Sequence, residues 1–271
     1  MLSILNSISS LNAENALSST QSNLQKVLTE LSTGLRINSG SDDAAGLSIA
    51  NGLQANISAL TQSSQNASDG VGLLQTADGA LSQVTTLLNR AITLATEASN
   101  GGLSTSQSTA LDTEYQSILT EIGTIGTTTN YNGTSVFGST ATVYTSDGTS
   151  GGSNTTSTTI SALTTGALSL TSTDLLTSAD AQTALTEISA AISTVAANRG
   201  AIGASVNQLN AASNVENTEV TNLTSAENNI LNADIGQTVA QMTQYTVLQQ
   251  TGMEALSQSN QAQQSVLKLL Q

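Results

Sequence analysis

Asp42 and Asp43 stand side by side, and a pair of carboxylates can share a proton as acid and base or hold a hard cation. Either task needs further ligands or a base nearby, and none flanks this pair. Ser41 precedes them and Ala44-Ala45 follow, which reads as a helix start with Ser41 at the N-cap and both Asp in the first turn. Asp147-Gly148 opens like a calcium loop, but the later oxygen ligands and the closing Glu of that motif are missing. Arg90 reads as a surface cation within reach of Glu97. Arg199 falls on a helical seam that also carries Glu216 and Glu227, so it reads as a buried or interface ion-pair member.

The absences narrow the chemistry further. The chain has no His, Cys, Pro or Trp, which removes the usual zinc sites, Cys and Ser–His nucleophiles, haem ligation through His or thiolate, and disulfides. The sequence therefore implies no cofactor and no enzyme. With 19 acidic and 5 basic residues the formal charge is −14, which repels phosphate and excludes a nucleic-acid partner. No run of 18 apolar residues is present to cross a membrane. The opening residues, Met1 to Asn6, lack the basic and apolar regions of a secretory signal.

The elements that must position these residues are mostly helices. Leu17, Leu24, Leu28, Leu31 and Leu35 follow helical steps, with Ile4, Ile8 and Leu11 upstream and Gly34 placed to end the run. A second seam runs through Leu53, Ile57, Leu60, Ser64, Ala67, Val71, Leu74, Asp78, Leu81, Thr85 and Leu88, predicting a helix over 41–100. Gly70, Gly72 and Gly79 weaken that helix and are tolerated only where another helix approaches closely or supports the stretch. Asn100-Gly101-Gly102 ends it, and Ser104 with Gln107 offers a capping box for the seam Leu111, Tyr115, Ile118, Ile122 and Ile125.

Residues 127–178 change character. Asn132-Gly133, Asp147-Gly148 and Ser150-Gly151-Gly152-Ser153 are turn chemistry, and Thr134–Phe137, Thr140–Thr145 and the loosely alternating Thr155–Leu170 predict two to four short strands. The helical period then resumes from Leu185 through Ile230 and shifts phase into Ile235, Val239, Met242, Thr246, Gln249, Met253, Leu256, Asn260, Gln263, Leu267 and Leu270. Polar members of that last seam predict a partly wet partner face. Charge follows the same division: residues 1–40 are neutral and 229–271 carry −1, while 41–228 carry −13. Neutral, amphipathic ends flanking an acidic body suit association with further copies of the chain.

Four segments resemble one family. LSTGLRINSGSDDAAGLSIA, Leu31–Ala50, closely resembles the N-terminal signature of bacterial flagellins, and Ile230–Gln271 resembles their C-terminal signature. Asn130-Tyr131-Asn132-Gly133 is similar to the family's aromatic-Asn-Gly turn, and Arg199-Gly200-Ala201-Ile202-Gly203-Ala204 to its Arg-x-x-x-Gly-Ala segment. The departures are Ser39-Gly40-Ser41 before the paired Asp and Gln271 in place of a frequent terminal Arg.

The resemblance implies a mainly α fold: an elongated antiparallel helical rod or coiled-coil bundle formed by both termini, with a small β-hairpin excursion. Residues 1–40 and 229–271 would be the helices of an inner core domain, 41–126 and 179–228 those of a rod domain, and 127–178 the excursion. The resemblance further implies a short, core-only form without outer variable domains. The implied role is a structural subunit that polymerises into an extracellular flagellar filament for swimming, exported without a cleaved signal peptide. Its assembly interface would comprise Leu24, Leu28, Leu31, Leu35, Ile235, Val239, Met242, Met253, Leu256, Leu267 and Leu270.

Implied partners are further copies in a helical homopolymer, the flagellar export chaperone, and the filament cap and junction proteins. Arg90 matches an Arg of the surface recognised by the vertebrate Toll-like receptor for flagellin, although Ile92 and Thr93 replace polar or charged residues there. A hook–filament junction protein and an acidic secreted adhesin are the alternative readings. Copy number separates the first from a filament subunit, and polymerisation without added ligand separates the second. The Ser/Thr-rich excursion is either a solvated loop or a site of O-glycosylation, which intact mass distinguishes.

Overall fold

Apolar residues recurring every three or four positions, with no proline to interrupt them, fold into long helices. The structure, a computed structural model, describes residues 8–147 and 155–269 of the 271-residue chain. In order these form α1 (Ile8–Thr33), α2 (Ala44–Ala98), α3 (Thr105–Thr128), β1 (Asn130–Tyr131), β2 (Thr134–Ser135), β3 (Ser139–Tyr144), β4 (Thr155–Ile160), α4 (Ser178–Leu231) and α5 (Ile235–Leu269). Ile4, Gly148, the Ser150–Ser153 turn and Leu270 lie outside the described residues. The fold is mainly α with small antiparallel hairpins. Its contacts gather into two units, one formed by residues up to Ala55 and from Asn222 onward, the other by Asn56–Thr221.

In the second unit, Leu60, Ala67, Leu74, Leu81 and Leu88 are buried at seven-residue intervals along α2, with Ser63, Gly70, Ala77 and Val84 buried between them and Ala91 just beyond. The leucines are those of the expected seam, but Ser64, Val71, Asp78 and Thr85 sit half-buried on its flank. Small residues fill the intervening positions, and their weak hydropathy hides them from a count of apolar side chains. On α4, Ala181, Ala184, Ile188, Ala191, Val195, Ile202 and Leu209 are buried, and on α3 so are Tyr115, Ile118, Leu119 and Ile122. Tyr115 hydroxyl lies 2.5 Å from Thr173 Oγ1, and burial pushes its pKa up.

Close approach explains two of the helical glycines. A Cβ on Gly70 would stand 2.5 Å from Val143 Cγ2 of β3 and 3.2 Å from Leu209 Cδ1 of α4, and one on Gly72 would stand 3.0 Å from the Tyr131 hydroxyl. The approaching element is therefore mostly the β excursion, where the sequence suggested a helix. Gly79 has nothing within 4 Å.

The excursion holds two hairpins. Asn132 (φ 52°) and Gly133 (φ 78°) make the tight turn that pairs Tyr131 with Thr134. β3 and β4 pair antiparallel from Ser139↔Ile160 to Tyr144↔Thr155, with Thr156, Thr158 and Ile160 facing the core. The alternation expected to continue to Leu170 does not form a strand. Beyond Ile160 the chain turns irregularly and drops Leu163, Leu168, Leu170 and Leu175 into the core.

Helix starts follow side-chain chemistry. Ser104 Oγ accepts from Gln107 N at 3.4 Å and Gln107 Oε1 accepts from Ser104 N at 2.8 Å, completing the expected capping box. α2, in contrast, begins later than the sequence suggested. Asp43 is its cap, with Oδ1 accepting from Gly46 N at 2.9 Å, because Asp42 and Ser41 belong to the preceding turn.

Candidate assembly interface

α1 and α5 pack antiparallel in the first unit. Ser10 Oγ lies 2.8 Å from Ser259 Oγ, a Cβ on Gly252 would stand 3.4 Å from Leu17 Cδ1, and Leu35 forms a β-bridge with Asn232. Leu17, Leu24, Val27 and Leu31 line the inner stripe of α1, and Thr238, Met242, Thr246, Gln249 and Leu256 that of α5, all buried or half-buried. Thr246 and Gln249 make the α5 side polar, as its sequence suggested.

Each helix also carries large apolar side chains that its partner leaves open. Ile8, Leu11 and Leu28 on α1 and Ile235, Val239, Val247, Leu248 and Met253 on α5 are each at least 41% exposed. Of the residues read from sequence as interface, Leu28, Ile235, Val239 and Met253 thus lie open. Leu24, Leu31, Leu35, Met242 and Leu256 are half-buried, and Leu267 belongs to α5. The sequence reading missed Val27, which is 5% exposed, although it sits three residues after Leu24, at the other core position of the same heptad. It also missed Val247 and Leu248, which lie off the single seam followed along α5.

The α1–α2 turn is tied to the α4–α5 break. Gly34 (φ 74°) ends α1, Arg36 N donates to Leu231 O at 2.6 Å, and Ala233 N donates to Gly34 O at 2.9 Å. Arg36 Nη2 donates to Ile230 O at 2.8 Å, placing a cation on the carbonyl end of α4, where the helix dipole favours it. Asp234 Oδ1 then accepts from Gln237 N at 3.2 Å and opens α5.

Asp42 closes this region electrostatically. Lys26 Nζ lies 3.0 Å from Asp42 Oδ1, while Ser39 Oγ and the backbone N–H groups of Asn38 and Ser39 donate to Oδ2. Lys26 is the largest influence, and together these donors lower the Asp42 pKa to about 2. The unfolded chain's carboxyl titrates near ~4, so the folded state holds fewer protons in between. Its stabilising contribution is complete above that value and disappears as pH falls toward about 2. An NMR titration of the Asp42 carboxyl is expected to show this low midpoint, with Lys26→Ala moving it upward.

The other charged candidates form structural pairs. Arg90 bonds Glu114 of α3 at 2.7 Å, not Glu97, and lowers the Glu114 pKa. Arg199 Nε and Nη2 reach the two oxygens of Asp78 at 2.7 and 3.3 Å, in a pair that is half-exposed, not buried. Glu216 is buried and accepts from Ser63 Oγ at 2.7 Å. Among the described residues, no group of three acids, His or Cys is arranged to hold a metal ion, and no helix is long and apolar enough to cross a membrane.

Comparison with known proteins matches helical regions at both ends of the chain. Residues 4–142 match the bacterial flagellin N-terminal helical region, and residues 185–270 match the C-terminal one. The chain belongs to the bacterial flagellin family. It is 34% identical over 249 residues to a flagellin of Halalkalibacterium halodurans, covering 91% of each chain. It is 44% identical over 137 residues to a flagellin of Serratia marcescens, covering 50% of this chain and 39% of that one. The crystal structure of Bacillus cereus flagellin superposes with a TM-score of 0.50 at 31% identity, over 56% of this chain and 88% of that one. Flagellins are structural proteins of the extracellular flagellar filament that drives swimming, and this chain is such a filament subunit. It is a short form, with only residues 143–184 between the two matched regions.

Proposed function

We propose that copies of this chain polymerise through the exposed apolar side chains of α1 and α5, adding subunits head-to-tail by non-identical surfaces. The supporting observation is the set of exposed large apolar side chains on each helix, including Leu11, Leu28, Val239 and Met253. Burying such surface contributes about 25 cal/mol per Å², which offsets the ordering of chain ends that costs about 1–2 kcal/mol per residue. Residues 1–40 and 229–271 would then form the inner core of the filament, 41–126 and 179–228 the rod around it, and 127–178 its outer excursion. The role is structural, without catalysis.

The half-buried Leu24, Leu31, Leu35, Met242 and Leu256, with Leu267 and Leu270, complete the assembly set. Before assembly the same side chains need cover, which a flagellar export chaperone supplies, and at the filament ends cap and junction proteins meet them. Arg90, exposed and held to Glu114, is the group that a vertebrate Toll-like receptor would contact. Hydrogen exchange before and after polymerisation tests the scheme. Amides of α1 and α5 are expected to exchange quickly in dilute monomer and slowly in pelleted filaments; equal protection in both states would overturn it.

A further inference from the structure

Three asparagines precede a glycine: Asn51-Gly52, Asn100-Gly101 and Asn132-Gly133. At such a step the glycine backbone nitrogen can attack the asparagine side-chain carbonyl, because glycine has no Cβ to obstruct the approach. The reaction needs that nitrogen free of a hydrogen bond, and it needs the asparagine ψ to turn until nitrogen and Cγ meet. All three asparagines are exposed, so water reaches each of them and the backbone decides between them.

Gly52 lies within α2, where its N–H is committed to the carbonyl four residues earlier. Asn132 and Gly133 occupy the β1–β2 turn at φ 52° and 78°, closed by the Tyr131↔Thr134 pair and by Val136 N donating to Thr129 O at 3.2 Å. Rotating Asn132 would undo that turn. Asn100 differs. α2 ends at Ala98 and α3 starts at Thr105, and Ser99 N and Asn100 N make the last donations back into α2. Among the described residues no backbone carbonyl accepts from Gly101 N. A Cβ on Gly101 would have open space around it, and one on Gly102 would meet only Asn100 Oδ1, at 3.8 Å. The asparagine amide therefore already lies beside the glycines that follow it.

We propose that Asn100 is a self-modification site, deamidating through a cyclic imide while the chain stays folded. The Gly101 amide gives its proton to solvent base, and its nitrogen bonds to Asn100 Cγ. The Cγ–Nδ2 bond breaks, and Nδ2 takes a proton from water and leaves as ammonia. Water then opens the ring. Attack at Cγ leaves aspartate, and attack at the main-chain carbonyl leaves isoaspartate, with the main chain routed through Cβ and Cγ. One water enters, one ammonia leaves, and nothing is oxidised or reduced. The product places a carboxylate at the C-terminal end of α2, where the helix dipole disfavours it, in a chain already at −14. Ser178 Oγ donates to Ser99 O at 2.7 Å, so the change falls beside the start of α4 as well.

The test incubates the purified chain in mildly alkaline buffer made with heavy-oxygen water, with and without denaturant. Peptide mapping then follows each site, using fragmentation that separates aspartate from isoaspartate. In the folded chain Asn100 is expected to convert at least tenfold faster than Asn51 and Asn132, with one heavy oxygen in each product and isoaspartate in excess over aspartate. In denaturant, where helix and turn are gone, the three sites are expected to convert at rates within a few-fold of one another. Gly101→Ala is expected to slow conversion at Asn100 at least tenfold with the helical circular dichroism unchanged, because φ there is not positive and the added Cβ meets nothing within 4 Å. Comparable rates at the three sites in the folded chain, faster conversion at Asn132, conversion of Asn100 only in denaturant, or undiminished conversion in Gly101→Ala would each overturn the proposal.

Discussion

The double variant Val239→Asp with Met253→Asp raises the critical concentration for polymerisation at least a hundredfold while the monomer keeps its helical circular dichroism. Both side chains are exposed in the isolated chain, so replacing them removes little from its own packing. If neighbouring copies cover them, each contributes about 1.5–3 kcal/mol of apolar burial, and every ~1.4 kcal/mol is a factor of ten in an association constant. The introduced carboxylates add a desolvation penalty on top. Pelleting assays over a concentration series measure the effect directly. Unchanged critical concentration would remove Val239 and Met253 from the interface. Added salt should act in the opposite sense, because a chain of net charge −14 repels its copies until screened.

How much of this was legible beforehand follows from side-chain size and sequence distance. Leu60, Leu74, Leu81 and Leu88 announce the α2 seam because leucine dominates any periodic count, whereas Ser63, Gly70 and Ala77 share that seam unnoticed. Capping at Ser104 was readable because both partners lie within one turn. Placing the α2 cap at Ser41 failed because Asp42, a good first-turn residue by type, is drawn into the 38–42 turn by Lys26 from a different helix. Arg90 finds Glu114 across 24 residues for the same reason: helix-surface spacing identifies neighbours on one helix but not on the next. The open apolar side chains were half visible. Val239 and Met253 fall on the α5 seam, but Val247 and Leu248 belong to a second face that a single-seam reading passes over.

Glycines give the second large effect, because residues that look alike in sequence divide sharply in the structure. A Cβ on Gly126, near the end of α3, would stand 1.8 Å from Leu163 O and 2.9 Å from Leu163 C. Those are backbone atoms, so no side-chain rotation relieves the overlap. The 161–177 segment, which carries Leu163, Leu168, Leu170 and Leu175 into the core, must shift as a whole. Overpacking of this kind costs about 1–3 kcal/mol and more when backbone must move, so Gly126→Val is expected to destabilise by about 3 kcal/mol. At roughly 2–4 °C per kcal/mol for a domain of this size, calorimetry should record a fall of about 6–12 °C in Tm. Gly79 in α2 and Gly123 in α3 have nothing within 4 Å of an added Cβ. There the helix preference of alanine over glycine, about 1 kcal/mol, is unopposed, so Gly79→Ala and Gly123→Ala should raise Tm by a few degrees. Opposite signs at Gly123 and Gly126, three residues apart on one helix, depend on the close approach of residue 163. A neutral Gly126→Val would mean that this segment packs differently from the contact described.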